Sequence, residues 1–225
     1  MAQHTRIDVV LKIKDTGIVP VLYHPDASLV KEVVQACYEG GIRVFEFTNR
    51  GDFAHEVFAE VSRYCSSDLP DLALGVGSVP DAATAALFMQ LGANFMVAPI
   101  LDPDTARVCN RRKVLWIPGC GSVSEIAQAE ELGAEIVKIF PGSSVGGPEF
   151  VRNVKGPMPW SSLMPTGGVT PDRDNLQAWF DAGVIGVGMG SKLFTKEILE
   201  KKQMTLLEEK VKEILFTIKE IRGEI

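Results

Sequence analysis

Few residues in this chain have chemical reach, and two of them sit inside apolar runs that read as buried strands. Lys138 is central to Glu135-Ile-Val-Lys-Ile-Phe-Pro-Gly142. Side chains alternate along a strand, so Ile136, Lys138 and Phe140 share one face and Val137 and Ile139 the other. Val137 and Ile139 suit burial under helices, which turns Lys138 toward an equally apolar interior. Lysine is almost never fully buried unless it is paired or working. Its stem can carry the ammonium to solvent or to a carboxylate. Alternatively, desolvation lowers its pKa until the neutral amine can attack a carbonyl and form a Schiff base. Glu46 occupies a similar position in Ile42-Arg-Val-Phe-Glu-Phe-Thr48, sharing a face with Val44 and Thr48 while Phe45 and Phe47 take the other. Two inward ions of opposite sign form either a buried ion pair or an acid/base–nucleophile pair, and the pattern leaves both open. Arg50 follows at the strand's exit. A guanidinium there can hold a carboxylate through two parallel hydrogen bonds, or it can face solvent.

Glycine supplies the second group of candidates. Pro165-Thr-Gly-Gly-Val-Thr170 and Gly186-Val-Gly-Met-Gly-Ser191 each close a late apolar run. Glycines let backbone N–H groups approach an anion, and a helix starting at Ser191 would add its dipole. Pro141-Gly-Ser-Ser144 would contribute further donors near the same anion. Cys120 has no base near it in sequence and is read as a small hydrophobe.

These residues need elements to hold them. A helix over 5–15 precedes a repeating part. Strands are expected at 18–23, 42–48, 72–76, 94–98, 114–118, around Lys138, at 162–165 and at 184–188. Helices between them start at Asp26, near 52, at Asp81, Asp102, Ser122, 147 and Asp172, and finally at Ser191. Ser122-Val-Ser-Glu125 has capping-box spacing. A charged helix over 203–222 ends the chain, with Leu206, Leu207, Val211, Ile214, Leu215, Ile218 and Ile221 in a stripe at helical spacing. Eight strands alternating with eight helices imply parallel pairing and right-handed crossovers. The expected fold is an α/β (β/α)8 TIM barrel with an N-terminal helix and an extra C-terminal helix, a single domain over residues 1–225. No GxGxxG follows the first strand and no Walker lysine motif occurs, which disfavours an open dinucleotide-binding sheet. In such a barrel, function gathers at the C-terminal ends of the strands, with phosphate held after strands seven and eight. All the candidates fall there or just inside.

Composition narrows the partners. The 225 residues are 46% hydrophobic, enough for one sizeable core. A net charge of −6 gives no global attraction to nucleic acid or to an anionic membrane surface. No apolar run reaches the ~18 residues of a membrane span, and the first residues lack a signal-peptide pattern. Cys37, Cys65, Cys109 and Cys120 lie far apart with no CxxC pair, and His4, His24 and His55 have no ligand spacing. The cysteines are read as reduced thiols of a cytoplasmic protein, with no metal framework.

Phe45-Glu-Phe-Thr-Asn-Arg50, Gly75-Val-Gly-Ser78, Ile117-Pro-Gly119, Val137-Lys-Ile-Phe-Pro141, Pro165-Thr-Gly-Gly168 and Gly190-Ser191 occur in an order and spacing that resembles the 2-keto-3-deoxy-6-phosphogluconate (KDPG) aldolase family. Its members also include 4-hydroxy-2-oxoglutarate (KHG) aldolases. The resemblance runs from about Ile18 to Phe194. It implies an α/β barrel, a homotrimer, and a class I aldolase acting on a small 2-keto acid through a lysine imine, with no metal and no other cofactor. Carried over by position, it implies Lys138 as the Schiff-base lysine and Glu46 as the general acid/base. Arg50 and Ser78 would lie at the substrate carboxylate. Thr166, Pro99 and Phe140 would line the pocket, and Gly167, Gly168, Gly190 and Ser191 would hold phosphate. The chain departs from the family at Pro141-Gly-Ser, Ala98-Pro-Ile-Leu101 and Pro118-Gly-Cys-Gly-Ser122, all around the pocket. Those departures leave room for an epimeric substrate such as the 6-phosphogalactonate derivative, or for an amino-sugar-derived 2-keto-3-deoxy acid. A different class of reading is a non-catalytic sugar-phosphate-binding barrel, with Lys138 and Glu46 as a structural ion pair.

Overall fold

The computed structural model describes residues 2–225. Helix α1 (Arg6–Thr16) opens it, started by a reciprocal Thr5–Asp8 capping box and ended by Gly17 in the left-handed region. Strands β1 (Ile18–Leu22), β2 (Val44–Thr48), β3 (Ala73–Gly77), β4 (Phe95–Val97) and β5 (Leu115–Ile117) alternate with helices α2 (Ala27–Glu39), α3 (Ala54–Asp68), α4 (Ala82–Gln90) and α5 (Pro103–Arg112). After β6 (Gly119–Cys120) come α6 (Val123–Glu131), β7 (Val137–Ile139), α7 (Gly147–Lys155), β8 (Leu163–Pro165), α8 (Arg173–Asp181), β9 (Val187–Met189), α9 (Lys196–Glu200) and α10 (Met204–Arg222). Asp26, Asp81, Asp102 and Ser122 cap their helices through side-chain oxygens, as their places in the sequence lead one to expect.

All strand pairs are parallel. One sheet has the order β5-β4-β3-β2-β1-β9 and the other β6-β7-β8. Hydrogen bonds cross both seams. At one, Lys138 N–H donates to Pro118 C=O at 2.8 Å, and only Pro118 separates β5 from β6. At the other, Ile185 N–H donates to Leu163 C=O at 3.1 Å, and Thr166 bridges Gly188.

Two apolar layers result. Val19, Val44, Ala73, Phe95, Val97, Leu115, Ile117, Ile136 and Met164 form an inner cluster, which Val9 and Ile13 of α1 close from the N-terminal ends of the strands. Phe45, Phe47, Val137 and Ile139 belong to the larger cluster under the helices. The alternation expected along β2 and β7 therefore holds.

Three expectations need correction. The run 114–118 is two short strands with Gly119–Cys120, because Pro118 has no N–H to give the ladder. The last strand starts at Val187, opposite Ile18, rather than at Val184. No helix begins at Ser191. Gly190 C=O instead accepts from Leu193 and Phe194 N–H in a tight turn, and Thr195 then caps the short α9.

Candidate active site

Glu46 and Lys138 are both buried on the inward-facing sides of their strands, at 1% and 6% exposure. β2 aims Glu46 inward because Phe45 and Phe47 are committed to the layer beneath α2 and α3. β7 aims Lys138 inward in the same way. No salt bridge joins the two among the described residues. Glu46 Oε2 is buried without a hydrogen-bond partner. The Lys138 amine lies 4.7 Å from the centre of the Phe140 ring, and a cis peptide joins Phe140 to Pro141.

The electrostatics follow from burial. Desolvation pushes the Glu46 carboxyl above the usual carboxylate range, against the opposing pull of Lys138 and Arg50. Desolvation lowers the Lys138 amine, partly offset by Glu46 and reinforced by Arg50. Each group is thus biased toward its uncharged form, and Arg50 is close enough to act on both.

At the rim, Arg50 is exposed, and its Nε donates to Ser78 Oγ at 3.4 Å. Ser78 sits in the left-handed region, at φ 58°, which no neighbouring residue type marks in advance. Arg50 and Ser78 present a guanidinium and a hydroxyl side by side at the strand exits, which suits a carboxylate. Thr166 Oγ1 is buried with no partner and lies where a side chain at Gly188 would otherwise intrude. Pro99 is half-buried, and its carbonyl abuts Gly119.

The two glycine turns come together across the β8–β9 seam. Gly167 and Gly168 have φ of 95° and 81°, which side chains rarely adopt. The N–H groups of Gly167, Gly168, Gly190 and Ser191 enter no backbone hydrogen bond among the described residues. Four free donors on adjoining loops suit an anion. The helix dipole expected at Ser191 is missing, since the turn there is not helical. Pro141-Gly-Ser-Ser144 gives no free backbone donors either, because its Gly142, Ser143 and Ser144 N–H groups donate to Thr166, Gly167 and Pro141 carbonyls. Its Ser143 side chain instead packs against Gly168.

Two residues take roles at the site that their sequence positions do not reveal. Asn175 accepts from Thr170 N–H at 2.9 Å and donates to Gly168 C=O at 3.1 Å, bracing the β8 loop. An Asn in the first turn of a helix carries no sequence mark of that role. Gly77 stands against Glu46. Cys120 is buried, and burial pushes its thiol up to about 12, in keeping with a packing role. A cleft of about 740 Å³ near His4, Arg6, Lys113 and Glu135 lies at the opposite ends of the strands and touches none of these groups. No three His, Cys, Asp or Glu side chains converge among the described residues.

A site of this build is that of an α/β enzyme working on a small molecule at the carboxyl ends of parallel strands. Comparison with known proteins narrows the class. A sequence model described as KDPG and KHG aldolase matches residues 9–210. The chain is 30% identical over 211 residues to the 2-dehydro-3-deoxy-phosphogluconate aldolase of Pseudomonas aeruginosa, covering 93% of this chain and 92% of that one. It is 31% identical over 172 residues to the 2-dehydro-3-deoxy-6-phosphogalactonate aldolase of Escherichia coli K12, covering 76% and 80%. Among solved structures, a KDPG aldolase of Legionella pneumophila, with pyruvate captured as a covalent carbinolamine, superposes with a TM-score of 0.82 at 23% identity over 90% of this chain and 96% of that one. The chain belongs to the KDPG and KHG aldolase family, a family of carbon–carbon lyases.

Proposed function

We propose that the protein is a class I aldolase that cleaves 2-keto-3-deoxy-6-phosphogluconate to pyruvate and glyceraldehyde 3-phosphate, and 4-hydroxy-2-oxoglutarate to pyruvate and glyoxylate. The observation that carries this reading is the pair of desolvated, mutually unbridged groups Lys138 and Glu46 in one interior. A structural ion pair would close into contact to offset its desolvation. This pair does not, which disfavours the non-catalytic reading.

In the proposed reaction, neutral Lys138 attacks C2 of the keto acid, and loss of water gives an iminium. Its positive nitrogen draws the electrons of the C3–C4 bond as Glu46 takes the C4 hydroxyl proton, and the aldehyde leaves. The same carboxyl then protonates the enamine at C3, and hydrolysis releases pyruvate. One group serves both transfers because its role reverses between steps. Arg50 and Ser78 hold the carboxylate, Thr166, Pro99 and Phe140 line the pocket, and the N–H groups of Gly167, Gly168, Gly190 and Ser191 hold the phosphate. Fixing both ends of the substrate places C2 at the amine. On this reading no metal or other cofactor takes part.

A galactonate-type substrate is the second reading, favoured by the 31% identity to an aldolase named for that epimer. One stereocentre is decided on the pocket wall, where Ala98–Leu101 and Pro141–Ser144 depart from the family pattern. The two sheets, joined by hydrogen bonds at both seams, are read as one closed (β/α)8 barrel and one domain over residues 1–225. The assembly is read as a homotrimer and the compartment as cytoplasmic. No helix among the described residues is long and apolar enough to cross a membrane.

The test is borohydride trapping with pyruvate, followed by mass measurement. The parent protein is expected to gain one reduced pyruvate adduct on Lys138, and Lys138→Ala none. An adduct in Lys138→Ala would refute the assignment. Pyruvate release from epimeric 2-keto-3-deoxy acids, with and without phosphate, then separates the two substrate readings.

A further inference from the structure

Along β3, Ala73, Gly75 and Gly77 occupy the inward positions, so this strand shows the interior nothing larger than a methyl group. Its neighbours fill the space. Phe95 of β4 lies over Gly75, and Glu46 of β2 lies over Gly77. A Cβ at Gly77 would overlap Glu46 Oε1 and stand 2.5 Å from Glu46 Cδ and 2.9 Å from its Cγ. Gly77 does not have a left-handed φ, so backbone conformation does not call for glycine there. Glycine in a strand interior is otherwise unfavourable, and its common justification is a close approach. Of the carboxyl that approaches, Oε2 is buried with no hydrogen-bond partner to hold it.

We propose that Gly77 is a positioning residue for the Glu46 carboxyl: the absent side chain leaves the slot into which Glu46 Oε1 points at β3, inside the interior it shares with Lys138. The role of the slot in catalysis rests on the reading of Glu46 as the proton-transfer group. The slot itself rests on geometry alone. An alanine there pushes the carboxyl toward another rotamer and away from the substrate, while Lys138, on the far strand β7, keeps its place.

The test uses the full chain with Gly77→Ala, Glu46→Ala, Glu46→Gln and the double variant Glu46→Ala/Gly77→Ala. Thermal melts come first. Gly77→Ala should lower the Tm of the parent protein and leave that of Glu46→Ala unchanged, because the second background has nothing to collide with. Equal losses in both backgrounds would overturn the proposal. If Gly77→Ala does not fold, the double variant must fold, and an unfolded double variant would also overturn it. Exchange of the pyruvate C3 protons for deuterium, followed by NMR, then reads proton transfer separately from imine formation. Gly77→Ala should retain borohydride trapping while exchange falls ~100-fold, the scale expected for a misplacement of about 1 Å. Exchange at the parent rate in a folded Gly77→Ala protein overturns the positioning role. Exchange at the parent rate in Glu46→Gln sinks the proton-transfer reading instead and leaves the melts to judge the slot.

Discussion

Burial raises the Glu46 carboxyl and lowers the Lys138 amine, and both shifts have consequences for stability. In the unfolded chain Glu46 ionises near ~4.3. In the folded protein it holds its proton to higher pH. Between those two values the folded state carries a proton that the unfolded state has lost, so stability falls as pH rises through the window and is fully present below its lower edge. Glu46→Gln removes this titration. Its Tm should match the parent's near ~pH 4 and exceed it progressively as pH rises. A difference that stays constant with pH would show that the carboxyl is not desolvated. The same substitution bears on the lysine. Glu46 is the group that holds the Lys138 amine up, so in Glu46→Gln the pH dependence of pyruvate trapping should move to lower pH. Movement to higher pH would contradict the coupling.

At the scale of elements, the β8 and β9 loops divide the work between conformation and charge. Gly168 has a left-handed φ, and a Cβ there would stand 2.5 Å from Ser143 Cβ, so any substitution strains the turn. Comparing Gly168→Asp with Gly168→Ala isolates the charge. The aspartate should raise KM for the phosphorylated substrate at least about tenfold beyond the alanine, since like charges brought together cost several kcal/mol. KM for 4-hydroxy-2-oxoglutarate should be the same in both. An equal penalty on both substrates would remove phosphate from that loop. These elements differed in how far the sequence revealed them. Helices begun by Asp26, Asp81, Asp102 and Ser122 were legible because capping is a local affair of three or four residues. The inward faces of β2 and β7 were legible because Phe45, Phe47, Val137 and Ile139 have only one sensible side to take. The Ser191 turn was not, because it depends on Gly190 C=O capturing Leu193 and Phe194 N–H rather than continuing as helix. The loss of Gly142 and Ser143 N–H as anion donors was equally hidden. Their acceptors, Thr166 and Gly167, lie on another strand's loop. The Gly77–Glu46 contact was out of reach for the same reason, since strand neighbours are fixed by register rather than by sequence distance.

Across the whole molecule, the two ends of the chain hold each other. Helix α1 covers the N-terminal ends of the strands with Val9 and Ile13, and α10 returns along the outside with Leu207, Val211, Ile214 and Ile218 buried. Arg222, in the last turn of α10, ties the two together. Its Nη1 donates to Lys14 C=O at 2.7 Å and its Nη2 to Ile185 C=O at 2.6 Å, with the guanidinium 4.9 Å from the centre of the Phe180 ring. One side chain thereby joins α1, the start of the β9 run and α8, away from the proposed site at the other ends of the strands. Replacing it leaves carbonyls at the end of α1 and before β9 without their charged donor, a loss of roughly 1.5–3 kcal/mol for hydrogen bonds of this kind. Arg222→Ala should therefore melt several degrees lower and expose the α1 amides to faster hydrogen exchange, while pyruvate trapping at Lys138 proceeds at the parent rate at temperatures where the variant is folded. Arg222→Lys should recover only part of the Tm, because an ammonium lacks the planar, pre-organised fork and the face that the guanidinium lays against the Phe180 ring. Slower trapping in a fully folded Arg222→Ala protein would mean that the N-terminal ends of the strands and the proposed site at their other ends are mechanically coupled, and that the clasp by Arg222 serves more than stability.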